Sequence, residues 1–100
     1  MKIQFAQKPT AQIVRDLSDV LNKRAFQQTI LLSHKSNEIV VKISKMGTST
    51  LIFTRTDAKK RAEFSLTSED IAFAHKPFYV EFKDQLLSVV KEAGGKVTDE

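Results

Sequence analysis

The hydrophobic period of this chain changes twice along its length, and that change limits its fold more than any other property. Ile13, Val14, Leu17, Val20, Leu21 and Ala25 recur at three- and four-residue steps. This spacing places them on one side of an α-helix. Between Phe26 and Leu66 apolar residues recur at every second position, as on a strand with one buried face. The longer step returns with Phe78, Phe82, Leu86, Val89, Val90 and Ala93. The pattern predicts an α+β fold: a four-stranded antiparallel meander between an N-terminal helix over 11–25 and a C-terminal helix over 78–93, in the order α-β-β-β-β-α.

Local signals set the expected boundaries. Thr10 after Pro9 reads as an N-cap, and Lys23 and Arg24 suit the negative end of the helix dipole. Strands are expected over 26–34, 38–45, around Leu51 and Phe53, and over 62–66. Lys35-Ser36-Asn37 forms the first turn. A three-residue loop at Met46-Gly47-Thr48 sets Ile43 opposite Leu51 and Val41 opposite Phe53, with Gly47 supplying a positive φ. Thr56 to Arg61 reads as a loop. Thr67-Ser68-Glu69-Asp70 has the composition of a helix start, and Ile71 to His75 reads as a turn or irregular segment. Pro77 fits the first turn of the last helix, and Gly94-Gly95 ends it. Met1 to Phe5 reads as a short strand or an ordered arm, and 96–100 as a frayed tail.

One hundred residues without repeats or a Pro/Gly-rich linker point to a single domain over 1–100. No apolar run approaches the ~18 residues of a membrane span. Met1-Lys2-Ile3-Gln4-Phe5 lacks the apolar stretch of a secretory signal. A cytoplasmic location is therefore expected, and the lack of cysteine fits it. Disulfides, thiolate nucleophiles and cysteine-based zinc sites are excluded.

Charge is unevenly distributed. Residues 1–62 hold 12 basic and 4 acidic side chains, whereas residues 63–100 hold 4 basic and 8 acidic ones. The first segment thus carries +8 and the second −4, within a total of +4. The densest cluster is Lys59-Lys60-Arg61, expected in an inter-strand loop. Lys42, Lys45 and Arg55 lie on adjacent strands, where they also protect sheet edges from pairing. These six residues form the candidate anion-binding set, with nucleic acid or an acidic protein as partner. Val40 and Ile52 fall on the sheet face opposite the helices and suggest a homo-oligomeric contact.

Catalytic signatures are missing. There is no glycine-rich phosphate loop, HExxH or GxSxG. His34 sits beside a turn, within reach of Glu38, and His75 precedes Lys76-Pro77. Neither has a second ligand at metal-site spacing. Glu69-Asp70 read as a turn or cap, and Glu81 with Asp84 suit the positive end of the last helix. Most aromatic residues fall on the apolar stripes, with Tyr79 off them. No cofactor and no enzymatic activity are expected.

The helix–strands–helix order resembles the double-stranded-RNA-binding domain, in which a lysine-rich start of the second helix contacts phosphates. Here that helix begins Lys76-Pro77-Phe78-Tyr79-Val80-Glu81, with one lysine in place of a cluster. The expected function is a small non-enzymatic binding module whose basic face engages an anionic partner. The alternative is a homo-oligomeric interaction or scaffold subunit without a nucleic-acid role.

Overall fold

The period-two alternation extends further in both directions than the four expected strands. The computed structural model describes residues 1–24, 30–58 and 60–98. Its elements are β1 (Lys2–Ala6), α1 (Thr10–Leu21), β2 (Ile30–Lys35), β3 (Glu38–Ser44), β4 (Thr48–Ala58) and β5 (Arg61–Asp70), followed by a 3₁₀ segment (Phe73–Phe78), α2 (Tyr79–Glu92) and β6 (Lys96–Thr98). Six antiparallel strands form one sheet in the order β2-β3-β4-β5-β1-β6. The fold is α+β with an antiparallel sheet, as expected, but it has six strands rather than four.

The two additional strands come from the termini. The N-terminal segment, expected as a strand or an arm over Met1 to Phe5, is the strand β1 at Lys2–Ala6, which lies between β5 and β6 with Ile3 opposite both Phe64 and Val97. The expected frayed tail is instead ordered at Lys96–Thr98, where it pairs with β1. Its cause is the end of α2. Gly94, at φ +93°, donates to the Lys91 carbonyl at 3.1 Å, and Gly95 donates to that of Val90 at 2.9 Å. This left-handed closure turns the chain back onto the sheet. An N-terminal strand inside the sheet also departs from the element order that resembled the RNA-binding domain.

Side-chain parity then defines two faces. Ile3, Phe5, Ile39, Val41, Ile43, Leu51, Phe53, Ala62 and Phe64 are buried on one. The α1 residues Ile13, Val14, Leu17, Val20 and Leu21 and the α2 residues Leu86, Val89 and Val90 are buried with them. The stripes were legible, but their ends shift. α1 stops at Leu21 because Lys23 and Arg24 donate to the Val20 and Leu21 carbonyls in tighter turns. Arg24 then reaches α2, bonding Glu92 at 2.8 Å and Ser88 at 3.1 Å. Ala25 and the expected strand start over 26–29 lie outside the described residues. Thr10 is the first helical residue rather than its cap.

The β3–β4 turn has three residues, as expected, but is centred one position earlier. Met46 at φ 58° and Gly47 at φ 128° close it with Ser44 opposite Thr48. Ile43 therefore faces Ser49, Val41 faces Leu51, and Ile39 faces Phe53. A two-residue slip preserves parity, so every buried side chain stays on its face. The expected Thr56–Arg61 loop is mostly strand, since pairing continues to Ala58 opposite Arg61. Thr67–Asp70 likewise belongs to β5, beyond a bulge at Thr67 that accommodates one extra residue. There the ladder hydrogen bonds outweigh the helix-start composition.

Candidate functional site

The six sequence-selected cations do not share one surface. Lys42 lies on the sheet face away from the helices, opposite Thr50 and Leu31. Lys45 begins the β3–β4 turn. Arg55 has core-face parity and a side chain only 12% exposed. Its guanidinium lies 5.7 Å from the Phe64 ring centroid, donates to Thr10 Oγ1 at 3.0 Å and donates through Nε to Asp57 Oδ1 at 2.7 Å. That bond from Arg55 is the main cause holding the Asp57 carboxyl below its ordinary value. Arg55 thus fastens α1 to the sheet. Lys60 and Arg61 lie at the opposite end of β4 from Lys45, a separation of roughly 33 Å at the usual strand rise. Lys59 lies outside the described residues.

Around Lys60 and Arg61 the structure adds a third cation. Lys96 of β6 lies opposite Gln4 of β1. Lys60, Arg61 and Lys96 line a depression of about 190 Å³ whose remaining wall includes Gln4 and Gly94, without an acidic side chain among the described residues. Arg61 Nη1 donates to Gln4 Oε1 at 3.1 Å, and Gln4 Nε2 donates to Glu63 Oε2 at 2.5 Å. Gln4 therefore positions the guanidinium while other N–H groups remain for an anion. The sequence hid Lys96 because its neighbours in space belong to strands 35 and more residues away.

At the other end of the sheet, His75 is 3% exposed and Ser49 is fully buried. His75 was expected to end a turn or irregular segment, and nothing in the sequence marked it as buried. Its Nε2 lies 2.5 Å from the Lys45 carbonyl and its Nδ1 2.6 Å from Ser49 Oγ. A carbonyl can only accept, so Nε2 carries the proton, and Ser49 donates to Nδ1. Ser49 Oγ also accepts from the Ala72 amide at 2.8 Å. These bonds clamp the β3–β4 turn to the 3₁₀ segment. A serine–histidine contact alone suggests a nucleophile and base, but this hydroxyl has no exposed surface for an approaching substrate.

The clamp forms the floor of a cleft of about 450 Å³ between the turn and the start of α2. Met46, Phe78, Phe82 and Ala74 supply apolar walls, with Lys45, Glu81 and Gln85 as polar groups. The Phe82 ring meets His75 edge-on at 5.8 Å between centroids. Phe78 was expected in the core but is 54% exposed, because the 3₁₀ segment precedes α2 and lifts its first turn from the sheet. Phe73 is also exposed. Tyr79 is partly buried and donates its hydroxyl to Glu69, and burial first, then this carboxylate, raises its pKa.

The remaining sequence candidates do not converge. His34 pairs with Ile39 in β2 and is exposed, whereas Glu38 pairs with Lys35. No metal-binding group of histidine and carboxylate side chains occurs among the described residues. No helix among them is long and apolar enough to cross a membrane. No protein-family model, curated protein or solved structure matches the chain.

Proposed function

We propose that this chain is a non-enzymatic binding module that holds an anionic partner on Lys60, Arg61 and Lys96. The convergence of three cations on one depression, with no acidic lining residue among the described ones, carries this reading. Arg61 is already oriented by Gln4, which lowers the cost of ordering it on binding. Phosphates of a nucleic acid are the partner tested first, because three cations can each neutralise one and release its counterion. Among the described residues no helix at this end is placed to read bases, so contacts to phosphate dominate and little sequence preference follows.

The test is a titration of a mixed nucleic-acid pool across salt concentrations. Three phosphate contacts give a slope of roughly −2 to −3 in log affinity against log salt. Replacing Lys60, Arg61 and Lys96 together with Ala should remove most of that slope. Failure to bind near about 50 mM salt, where phosphate contacts are strong, excludes nucleic acid. A second reading is self-association through the open sheet face. Val40 lies directly opposite Ile52 there, and nearby Leu31 is 64% exposed. Light scattering of the free protein during the same titration separates the two, since a monomer at high concentration removes the second.

A further inference from the structure

The cleft beneath the β3–β4 turn lies at the opposite end of β4 from the cationic depression. Its volume of about 450 Å³ falls within the range of small-molecule sites. Its floor is already fixed, because both ring nitrogens of His75 are engaged by Ser49 and the Lys45 carbonyl. The imidazole is therefore part of the wall and is not available as a ligand group.

Recognition falls to the groups around it. Lys45 and Glu81 line the same cleft, are both exposed, and make no ion pair with each other or with another described residue. Gln85, one helical turn beyond Glu81, adds an amide with donor and acceptor capacity. A purely anionic head would meet Lys45 but also the negative Glu81. A purely cationic head would meet the reverse conflict. A head carrying both charges satisfies the two side chains together. The Phe78, Phe82 and Met46 walls require an apolar body attached to that head.

We propose that this cleft binds an apolar zwitterion, namely a free α-amino acid with a large apolar side chain. Its carboxylate faces Lys45, its ammonium faces Glu81, and its side chain lies between Met46, Phe78 and Phe82. This is binding without chemical conversion, and it is independent of the anion site.

The experiment is a calorimetric and amide-shift titration of the whole chain with L-phenylalanine. Three analogues each lack one feature: 3-phenylpropionate has no ammonium, phenethylamine no carboxylate, and glycine no apolar side chain. Phenylalanine should bind at least about tenfold more tightly than 3-phenylpropionate and phenethylamine, the size of one charge-assisted hydrogen bond, and at least about tenfold more tightly than glycine, which buries no apolar side chain. Glu81→Gln and Lys45→Met should each weaken it about tenfold. Both positions are exposed, and Lys45→Met retains the backbone carbonyl that holds His75, so circular dichroism should show an unchanged fold. Equal binding of 3-phenylpropionate or phenethylamine overturns the zwitterion assignment. So does the absence of any binding at about 10 mM ligand, weaker than the millimolar range such a cleft supports. Replacing Lys60, Arg61 and Lys96 should leave the titration unchanged, which separates failure here from failure at the anion site.

Discussion

Polar side chains hold both ends of β4 in place, but they do so in different surroundings. At the β3–β4 turn, Ser49 and His75 bond one another inside the protein, with the Ala72 amide and Lys45 carbonyl completing the set. At the β4–β5 turn, Asp57 receives Arg55 at 2.7 Å and Gln7 Nε2 at 3.4 Å, with its side chain 51% exposed. The buried set joins groups 23 to 30 positions apart, whereas Asp57 is held by Arg55, two residues away, and by Gln7, 50 residues away. The difference is what replaces a lost partner. Water can hydrate Asp57 when Arg55 is removed, but it cannot reach the fully buried Ser49 position without disturbing the core. One end is therefore held by interactions whose loss is costly, while the other retains an adaptable charged surface.

The largest effect that tests this contrast is expected for Ser49→Ala. It removes no large apolar area, yet leaves the Ala72 amide and His75 Nδ1 without partners. A buried group left unpaired costs about 1–3 kcal/mol, the full range applying to His75 and the lower part to the half-buried Ala72 amide. A total near 3 kcal/mol should lower the melting temperature by more than about 10 °C in a domain of this size. Thermal unfolding measured by circular dichroism checks it. A change below about 2 °C would mean that the Ser49–His75 clamp contributes little to folding.

The same contrast explains what was legible in the sequence. Periodicity revealed both helices and the buried faces, because burial selects side-chain parity directly. It missed β6 because Lys96-Val97-Thr98 contains one inward apolar residue, too few to establish a period. It missed the continuation of β4 and β5 because Thr56, Asp57, Ser68 and Glu69 are polar where the strands leave the core. The six-cation set was assembled from strand and loop positions, without knowing which faces and ends they occupied. Arg55 was thereby grouped with surface cations, although its parity matches Leu51 and Phe53. The Ser49–His75 clamp had no local signal, since its residues are 26 positions apart. Lys96 joins Lys60 and Arg61 only through the placement of β1 between β5 and β6.

Support beneath the cationic end gives the next test. Gly95 lies against the core, where an added Cβ would be 2.7 Å from Phe5 Cε1 and 2.8 Å from Val90 Cγ1. Phe5 is buried and its ring meets Phe64 edge-on at 6.2 Å between centroids. It cannot turn aside without disturbing that packing. Gly95→Ala should destabilise the protein by about 1–3 kcal/mol, the range for overpacking a core. Its effect should overlap with that of Ser49→Ala or fall below it. Urea unfolding provides the comparison. If Gly95→Ala proves neutral, the chain after α2 has room to shift, and Lys96 is less firmly placed beside Arg61.

The smallest effects concern the exposed carboxylates, and their dependence on pH distinguishes them from packing. Asp57 is held below its ordinary value chiefly by the bond from Arg55, and Asp16 chiefly by the bond from Lys8 at 3.0 Å, with Gln12 adding a second. In each case the folded carboxyl binds its proton less readily than the unfolded one. Their contribution to stability is therefore fully present above the unfolded value of 3.8 and disappears as pH falls through the lower folded value. Asp57→Asn and Asp16→Asn should each reduce stability slightly at pH 7, by less than either buried substitution. The gap from the parent protein should close below about pH 4, where the parent carboxylates also take up protons. Ser49→Ala should be more destabilised than either of these at pH 7, because its cost comes from lost buried hydrogen bonds rather than from those carboxylates. Melting temperatures of all four proteins between pH 7 and pH 3 provide the test. A gap for Asp57→Asn that persists undiminished at pH 3 would show that the side chain acts through shape at the β4–β5 turn rather than through its charge.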